Sequence, residues 1–178
     1  MFGESMRELR RPRAVSLIGL LTALQIVVEM LTGIYIIPPT VKLSFSFIVL
    51  AATGLWFGPA AAALQGAAAD VFVALLFPRG AYFPGFTFSA ALSGAAYGLF
   101  FRGQGITWRR ALCAKGLVNL LINTGLNTLW LSVLQGEAMA VLLPARLFKN
   151  AVLLPVEVLL LVLMEQALRR IPARLRGR

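Results

Sequence analysis

Six apolar runs separated by short connections dominate the chain and predict helices that cross a membrane. An α-helix rises ~1.5 Å per residue, so about 20 apolar residues span the hydrocarbon layer, and most of the runs approach that length. The second run is short, and a tight turn at Gly58-Pro59 ends it and begins the third. We therefore predict an all-α integral membrane protein with six transmembrane helices, at roughly 14–31, 44–57, 60–77, 84–101, 111–135 and 141–168.

Composition and the placement of charge support this prediction. Hydrophobic residues make up 59% of the chain and charged residues 13%, so apolar side chains exceed what one globular core could bury. The net charge of +10 would suggest nucleic acid in a soluble protein, but most arginines cluster at the two chain ends and at 102–110, between the fourth and fifth apolar runs. The positive-inside rule then places both termini in the cytoplasm. We predict one domain, 1–178, with basic cytoplasmic tails at 1–13 and 170–178.

Residues for catalysis or for a metal are missing from the sequence. The chain has no histidine, and Cys113 is its only cysteine, so neither a zinc cluster nor a Cys-His or Ser-His pair can form. No glycine-rich loop ends in Lys-Ser or Lys-Thr, which excludes ATP hydrolysis of the P-loop kind. We predict that the protein is not an enzyme and has no catalytic residue, metal or cofactor.

Polar residues inside the fifth apolar run are the first candidates for a binding site. Asn119, Asn123 and Asn127 recur every four residues, which places three amides on one helix face, and Trp130 lies one turn beyond. Polar groups are costly in hydrocarbon, so they indicate function unless they bond to neighbouring helices. For Asn119 we favour bonding between helices, and for Asn127 we favour a ligand.

The sixth run begins with a second polar group. Arg146 and Asn150 share a helix face, Lys149 lies beside them, and Asp70 of the third run falls at a similar depth. Asp70 could neutralise Arg146 as a structural ion pair, or the partner of Arg146 could be an anionic ligand. Two cations exceed what one carboxylate balances, which favours an anionic ligand for at least one of them.

With both termini in the cytoplasm, the outer connections are 32–43, 78–83 and 136–140. Aromatic residues and cations in or next to them could close a pocket from the outer side. Phe83 and Phe86 lie between prolines and glycines close to Arg79, and Lys42 lies in the preceding outer connection. Aromatic residues near an interface are often lipid anchors. The same residues also suit a lid that stacks on a flat ring system.

Small residues form a seam along the first helix. Ser16, Gly19 and Ala23 recur at helical spacing, where a neighbouring backbone can approach closely. The seam could pack inside the bundle or dock an external partner.

Four segments resemble the integral membrane S-components of energy-coupling factor (ECF) transporters, in particular the folate-specific member. The likeness runs from about Arg13 to Arg170. It rests on LWFGP at 55–59, FPRGAYFPGFTFSAALSG at 77–94, NTGLNTLWL at 123–131 and LPARLFKNAVLLP at 143–155.

The resemblance implies a six-helix subunit in a prokaryotic plasma membrane that takes up folate or a reduced folate. Such a subunit associates with a membrane coupling protein and two cytoplasmic ATPases, and needs no cofactor of its own. The family docks its coupling protein on small residues of the first helix, typically alanines. The expected docking residues here are therefore Ser16, Gly19 and Ala23.

Folate combines a flat pterin, a benzoyl ring and a glutamate with two carboxylates. Under this resemblance, the amides of Asn123, Asn127 and Asn150 suit the pterin edge. Aromatic stacking falls to Phe83, Phe86 and Trp130, and carboxylate pairing to Arg146, Lys149, Arg79 or Lys42. The other hypotheses are an S-component for another vitamin such as thiamine, a structural membrane scaffold, and a membrane-embedded enzyme.

Overall fold

The computed structural model describes most of the chain, and each of the six predicted apolar runs forms a helix in it. The described residues are 3, 5–6, 9, 11–37, 41–78, 82–136 and 138–170, without the side chains of 34–37 and 41–43. The helices are α1 (Pro12–Thr32), α2 (Phe47–Phe57), α3 (Pro59–Leu76), α4 (Pro84–Phe101), α5 (Trp108–Gln135) and α6 (Met139–Arg169).

Four of these helices, α1, α3, α5 and α6, are long and apolar enough to cross a membrane, and α2 is a shorter apolar helix. Large apolar side chains remain exposed along them, for example Leu31 and Phe148 at 76% and 73%. Lipid tails can cover such side chains whereas water cannot cover them cheaply. The described helices therefore have the surface of a membrane protein.

The connection between α1 and α2 contains a short hairpin, which corrects the all-α prediction for this segment. β1 (Ile34–Ile37) pairs antiparallel with β2 (Val41–Leu43), with Ile34 opposite Leu43 and Tyr35 opposite Lys42. The strands are rich in isoleucine and valine, whose branched side chains favour extended backbone. At three and four residues, they are too short to give a periodic signal that the sequence analysis could detect.

The turn between α2 and α3 is capped by side chains from two distant segments. Gly58 has φ of 86°, a left-handed conformation that suits glycine. The Ser5 hydroxyl donates to the Phe57 carbonyl at 2.6 Å and accepts the backbone N–H groups of Ala60 and Ala61 at 3.1 and 3.2 Å. The Arg102 guanidinium donates to the same carbonyl, so the turn joins the amino end of the chain to the end of α4.

Glycines let α4 lie unusually close to α2 and α3. A Cβ added at Gly54 would lie 2.8 Å from the Gly98 backbone nitrogen, and one at Gly66 would lie 2.5 Å from the Ala90 carbonyl oxygen. Alanines of α3 such as Ala61 and Ala62 are also fully buried. Small residues at close helix crossings are a common basis of packing in membranes, and the alanine-rich start of α3 follows this rule.

We expect Gly54→Ala to lower the free energy of unfolding by roughly 1–3 kcal/mol, because the new methyl group meets backbone atoms of α4 that cannot move aside. The measurement is the thermal unfolding temperature in mild detergent.

Gly116→Ala is the matched control, because a Cβ at Gly116 meets no atom within 4 Å. It should leave the unfolding temperature unchanged or raise it, since alanine favours helix over glycine. Equal destabilisation by both substitutions would contradict the close α2–α4 contact.

Candidate functional site

A cavity of about 720 Å³ lies between the helices, and all six contribute to its lining. It brings together most of the residues that the sequence analysis selected for a substrate. The residues that line it are Asn123, Asn127, Arg146, Lys149, Asn150, Phe83, Phe86 and Asp70. Arg79 and the side chain of Lys42 lie outside the described part of the chain.

The three asparagines of α5, which the four-residue spacing predicted on one helix face, also bond to one another and form a hydrogen-bonded ladder. Asn127 Nδ2 donates to Asn123 Oδ1 at 3.3 Å, and Asn123 Nδ2 donates to Asn119 Oδ1 at 3.0 Å. Asn119, for which we favoured a structural role, is buried and does not line the cavity, whereas the other two do. The ladder therefore runs from the protein interior to the cavity wall.

Side chains of α6 bind the same stretch of α5. Arg146 Nη1 donates to the Asn123 carbonyl at 3.1 Å, and Asn150 Nδ2 donates to the hydroxyl of Thr124 at 2.8 Å. Four buried polar atoms of the described side chains lack a hydrogen-bond partner, and two of them, Asn127 Oδ1 and Asn150 Oδ1, belong to residues of α5 and α6. A buried acceptor without a donor costs about 1–3 kcal/mol, so these two atoms are suited to donors of a guest molecule.

A buried ion pair at the cavity is the main feature that the sequence analysis missed. Lys115 Nζ lies 3.2 Å from Glu157 Oε1, the two side chains are only 3% and 7% exposed, and Asn119 Nδ2 donates to Glu157 Oε2 at 2.7 Å. The ammonium also lies 3.5 Å from the centre of the Phe47 ring. An ionisable residue within an apolar run was the available signal for both residues, but their pairing joins positions 115 and 157 of the chain and leaves no local pattern.

The charges of the cavity wall correct the predicted excess of cations. Three carboxylates and three cations line the described cavity: Glu29, Asp70, Glu157, Lys115, Arg146 and Lys149. Lys115 pairs with Glu157, the other two carboxylates lie on α1 and α3, and the other two cations lie on α6. The described lining is thus balanced in formal charge, with carboxylates on one wall and cations on another, which the sequence analysis did not anticipate because it counted one carboxylate.

Aromatic side chains form the cavity wall at the start of α4, next to the connection between α3 and α4. The Phe83 ring lies 5.6 Å from the Trp130 ring and 6.2 Å from the Phe86 ring, measured between centroids. Trp130 Nε1 donates to Ser89 Oγ at 3.0 Å. Phe83 and Phe86 line the cavity, whereas Trp130 does not and instead packs against Phe83. Stacking on a ligand therefore stays a prediction for the two phenylalanines and not for Trp130.

The opposite side of the cavity is held by hydrogen bonds that the sequence analysis did not assign. Gln65 Nε2 donates to Gln25 Oε1 at 2.8 Å between α3 and α1. Glu29, which had no assigned role, accepts a hydrogen bond from Ser44, and Asp70 Oδ2 accepts one from Thr87 Oγ1 at 2.6 Å. These bonds place carboxylates of α1 and α3 next to the outer connections.

The described residues contain no group of three or more His, Cys, Asp or Glu side chains that could hold a metal ion.

The small residues of α1 lie on the surface of the bundle. Ser16, Gly19 and Ala23 are exposed, and a Cβ at Gly19 would meet nothing within 4 Å. The predicted seam therefore faces away from the bundle, and packing between the described helices does not explain it.

Comparisons with known proteins agree on one group. A family model described as ECF transporter, substrate-specific component, matches residues 13–165. The Folate transporter FolT of Clostridium novyi (strain NT) is 41% identical over 123 residues, which cover 69% of this chain and 72% of that protein. The Folate transporter FolT of Leuconostoc mesenteroides subsp. mesenteroides is 34% identical over 153 residues, which cover 82% and 80%.

A solved structure gives the same picture in three dimensions. It is described as the crystal structure of FolT bound with folic acid, and it matches with a TM-score of 0.83 and 36% sequence identity. The match covers 90% of this chain and 97% of that chain. The helical arrangement around the cavity is therefore shared with a solved protein over nearly its whole length.

The buried ion pair predicts a strong penalty for removing one partner. We expect Lys115→Met to lower the free energy of unfolding by roughly 3–5 kcal/mol, because Glu157 is left charged in a buried site. Adding Glu157→Gln should recover part of the loss, since glutamine is neutral and keeps an oxygen for Asn119. Thermal unfolding of both variants in mild detergent checks this expectation.

Arg109→Met supplies the control, because Arg109 is an exposed cation near the start of α5. It should change the free energy of unfolding by less than about 1 kcal/mol. A double variant no more stable than Lys115→Met alone would show that the charge on Glu157 is not the source of the penalty.

Proposed function

The chain belongs to the family of substrate-specific components of ECF transporters, and we propose that it captures folate, or a reduced folate, inside the membrane for uptake. The observation that carries the proposal is the cavity in which unpartnered amide oxygens, aromatic rings and opposite charges converge. Its volume of about 720 Å³ lies within the ~300–1,000 Å³ that is typical of small-molecule sites. Two relatives named as folate transporters support folate over another vitamin.

The pterin of folate suits the amide wall. A pterin edge carries an amino group and a ring N–H side by side, and both are donors. Asn127 Oδ1 and Asn150 Oδ1 are buried acceptors that lack a donor in the described chain. Hydrogen bonds from the pterin would remove the cost of these two acceptors, and Asn123 adds a further amide at the wall. Phe83 and Phe86 supply aromatic faces for the rings.

The polarised walls suit a guest with donors at one end and carboxylates at the other. Arg146 and Lys149 of α6 are the proposed partners of the glutamate carboxylates. Arg79 and Lys42 of the outer connections are further candidates by their place in the sequence. Asp70 faces the cavity from α3 and suits a donor of the ligand better than a carboxylate.

The membrane arrangement completes the proposal. All six helices cross a prokaryotic plasma membrane, 1–178 forms a single domain, and both basic tails lie in the cytoplasm. The arginine clusters at the two chain ends and at 102–110 support this topology by the positive-inside rule. Energy comes from a membrane coupling subunit with two cytoplasmic ATPases. The exposed seam of Ser16, Gly19 and Ala23 on α1 is the proposed docking face.

Folate titration tests the function directly. Purified protein should bind folate tightly at one molecule per chain, and thiamine should not compete. Arg146→Gln should weaken folate binding at least tenfold, because a charge-assisted hydrogen bond contributes about 1.5–3 kcal/mol. It should weaken the binding of pteroate, which lacks the glutamate, by a smaller factor. Calorimetric or fluorescence titration gives both affinities.

Arg109→Gln is the matched control, because Arg109 is exposed and lies outside the cavity. Its folate affinity should equal that of the unchanged protein. The absence of saturable folate binding would reject folate as the substrate, and equal losses for folate and pteroate would reject Arg146 as a carboxylate partner.

The docking seam predicts a separation of binding from assembly. Ala23→Trp should abolish co-purification with the coupling subunit, since a large ring prevents close approach of a helix to α1. Folate affinity should be unchanged because Ala23 faces away from the cavity. Ala151→Trp, at an exposed alanine of α6, is the control and should retain the partner. Loss of the partner in both variants would reject α1 as the specific docking face.

A further inference from the structure

The middle of α5 is not an ordinary α-helix. Residues Val118–Leu126 form a π-helical segment between α-helical segments at Trp108–Leu117 and Asn127–Gln135. Stretches of π-helix are rare, because the wider turn with i→i+5 bonds is less favourable, and they occur most often at functional sites. Such a segment needs interactions from outside the backbone to hold it.

Side chains supply these interactions at two carbonyls that lie four residues apart. The Asn119 carbonyl accepts Thr124 Oγ1 at 2.8 Å and Asn150 Nδ2 at 3.4 Å. The Asn123 carbonyl accepts Arg146 Nη1 at 3.1 Å. Arg146 and Asn150 are themselves four residues apart on α6, so one face of α6 matches the spacing of the π-helical carbonyls.

Thr124 is the centre of this arrangement. Its hydroxyl donates to the Asn119 carbonyl and accepts Asn150 Nδ2 at 2.8 Å, which uses the single donor and one acceptor site of the hydroxyl. The side chain is 4% exposed and does not line the cavity. Thr124 therefore cannot contact a guest molecule in this arrangement. It does contact Asn119 of the ladder and Asn150 of α6.

The position of Asn119 determines the position of the amides at the cavity. Asn119 Oδ1 accepts a hydrogen bond from Asn123, and Asn123 Oδ1 accepts one from Asn127. The side-chain oxygen of Asn127 has no donor in the described chain. One residue of helix corresponds to a rotation of about 100°. A change from π-helix to α-helix within the segment would therefore turn Asn127 and Trp130 relative to Asn119 and Glu157.

We propose that Thr124 is a positioning residue for ligand binding, whose hydroxyl holds the π-helical segment so that the amides of Asn123 and Asn127 point to the ligand together. The inference rests on the proposed function and assigns a binding role to a residue that does not touch the ligand. It also assigns Asn150 a double role, with its amide nitrogen on the segment and its oxygen toward the ligand.

The first test compares folate affinities of variants that differ in the hydroxyl. Thr124→Val keeps the shape and removes the hydroxyl, and it should weaken folate binding about tenfold, as expected for one lost hydrogen bond in a connected network. Thr124→Ser keeps the hydroxyl and should stay within about twofold of the unchanged protein. Thr124→Ala repeats the removal with a smaller side chain in case valine prevents folding.

Thr53→Val is the matched control. Thr53 is also fully buried in a helix, its hydroxyl donates to the Val49 carbonyl at 3.3 Å, and it does not line the cavity. It should lower the unfolding temperature about as much as Thr124→Val but leave folate affinity unchanged. A Thr124→Ala variant that binds folate as tightly as Thr124→Ser would overturn the proposal.

A second readout follows the segment without any ligand. In protein carrying Trp56→Phe and Trp108→Phe, fluorescence comes from Trp130 alone, since the chain has three tryptophans. Trp130 bonds to Ser89, so rotation of α5 should shift its emission in Thr124→Val and not in Thr53→Val.

Unchanged emission in Thr124→Val would overturn the positioning role even if affinity falls. If the unchanged protein binds no folate while the emission shifts as expected, the proposed substrate is wrong and the linkage of Thr124 to the cavity wall stands. The two failures are therefore distinguishable.

Discussion

The structure depends on a constraint that water does not relieve: polar side chains buried among lipid-facing helices must satisfy one another. The ion pair of Lys115 and Glu157 is the clearest case, since each charge alone would be costly at 3% and 7% exposure. Asn119 extends the pair into the amide ladder. Four buried polar atoms of the described side chains lack a hydrogen-bond partner, and three of them, on Tyr97, Asn127 and Asn150, belong to residues that line the cavity. The incomplete end of the network thus coincides with the space for a guest.

The bundle is closely packed where α4 meets α2 and α3, and it is open where α5 and α6 line the cavity. Gly54 and Gly66 allow α4 to approach α2 and α3 to backbone contact, which keeps that side dense. The face formed by α5 and α6 instead carries polar side chains, such as Asn127 and Arg146, that line the cavity. Small residues therefore build the rigid wall, and polar residues of the last two helices build the wall that recognises a ligand.

The sequence predicted the helices and much of the cavity wall, because both depend on local spacing. Apolar runs gave the helices to within a few residues, and the four-residue period placed Asn119, Asn123 and Asn127 on one face. The pairing of Lys115 with Glu157 could not be predicted, since it joins distant positions without a local pattern. The π-helical segment was also missed, because Arg146 and Asn150, which bond to it, belong to the distant helix α6. The short hairpin escaped for lack of length.

The capped turn between α2 and α3 has a consequence for biogenesis. Its carbonyl at Phe57 receives one donor from Ser5, which precedes α1, and another from Arg102, which follows α4. Chains emerge from the amino end during synthesis. The bonds of Ser5 to the turn can therefore form once α3 has been synthesised, whereas Arg102 reaches the same carbonyl only after α4. The second donor thus arrives when the first four helices have all been made.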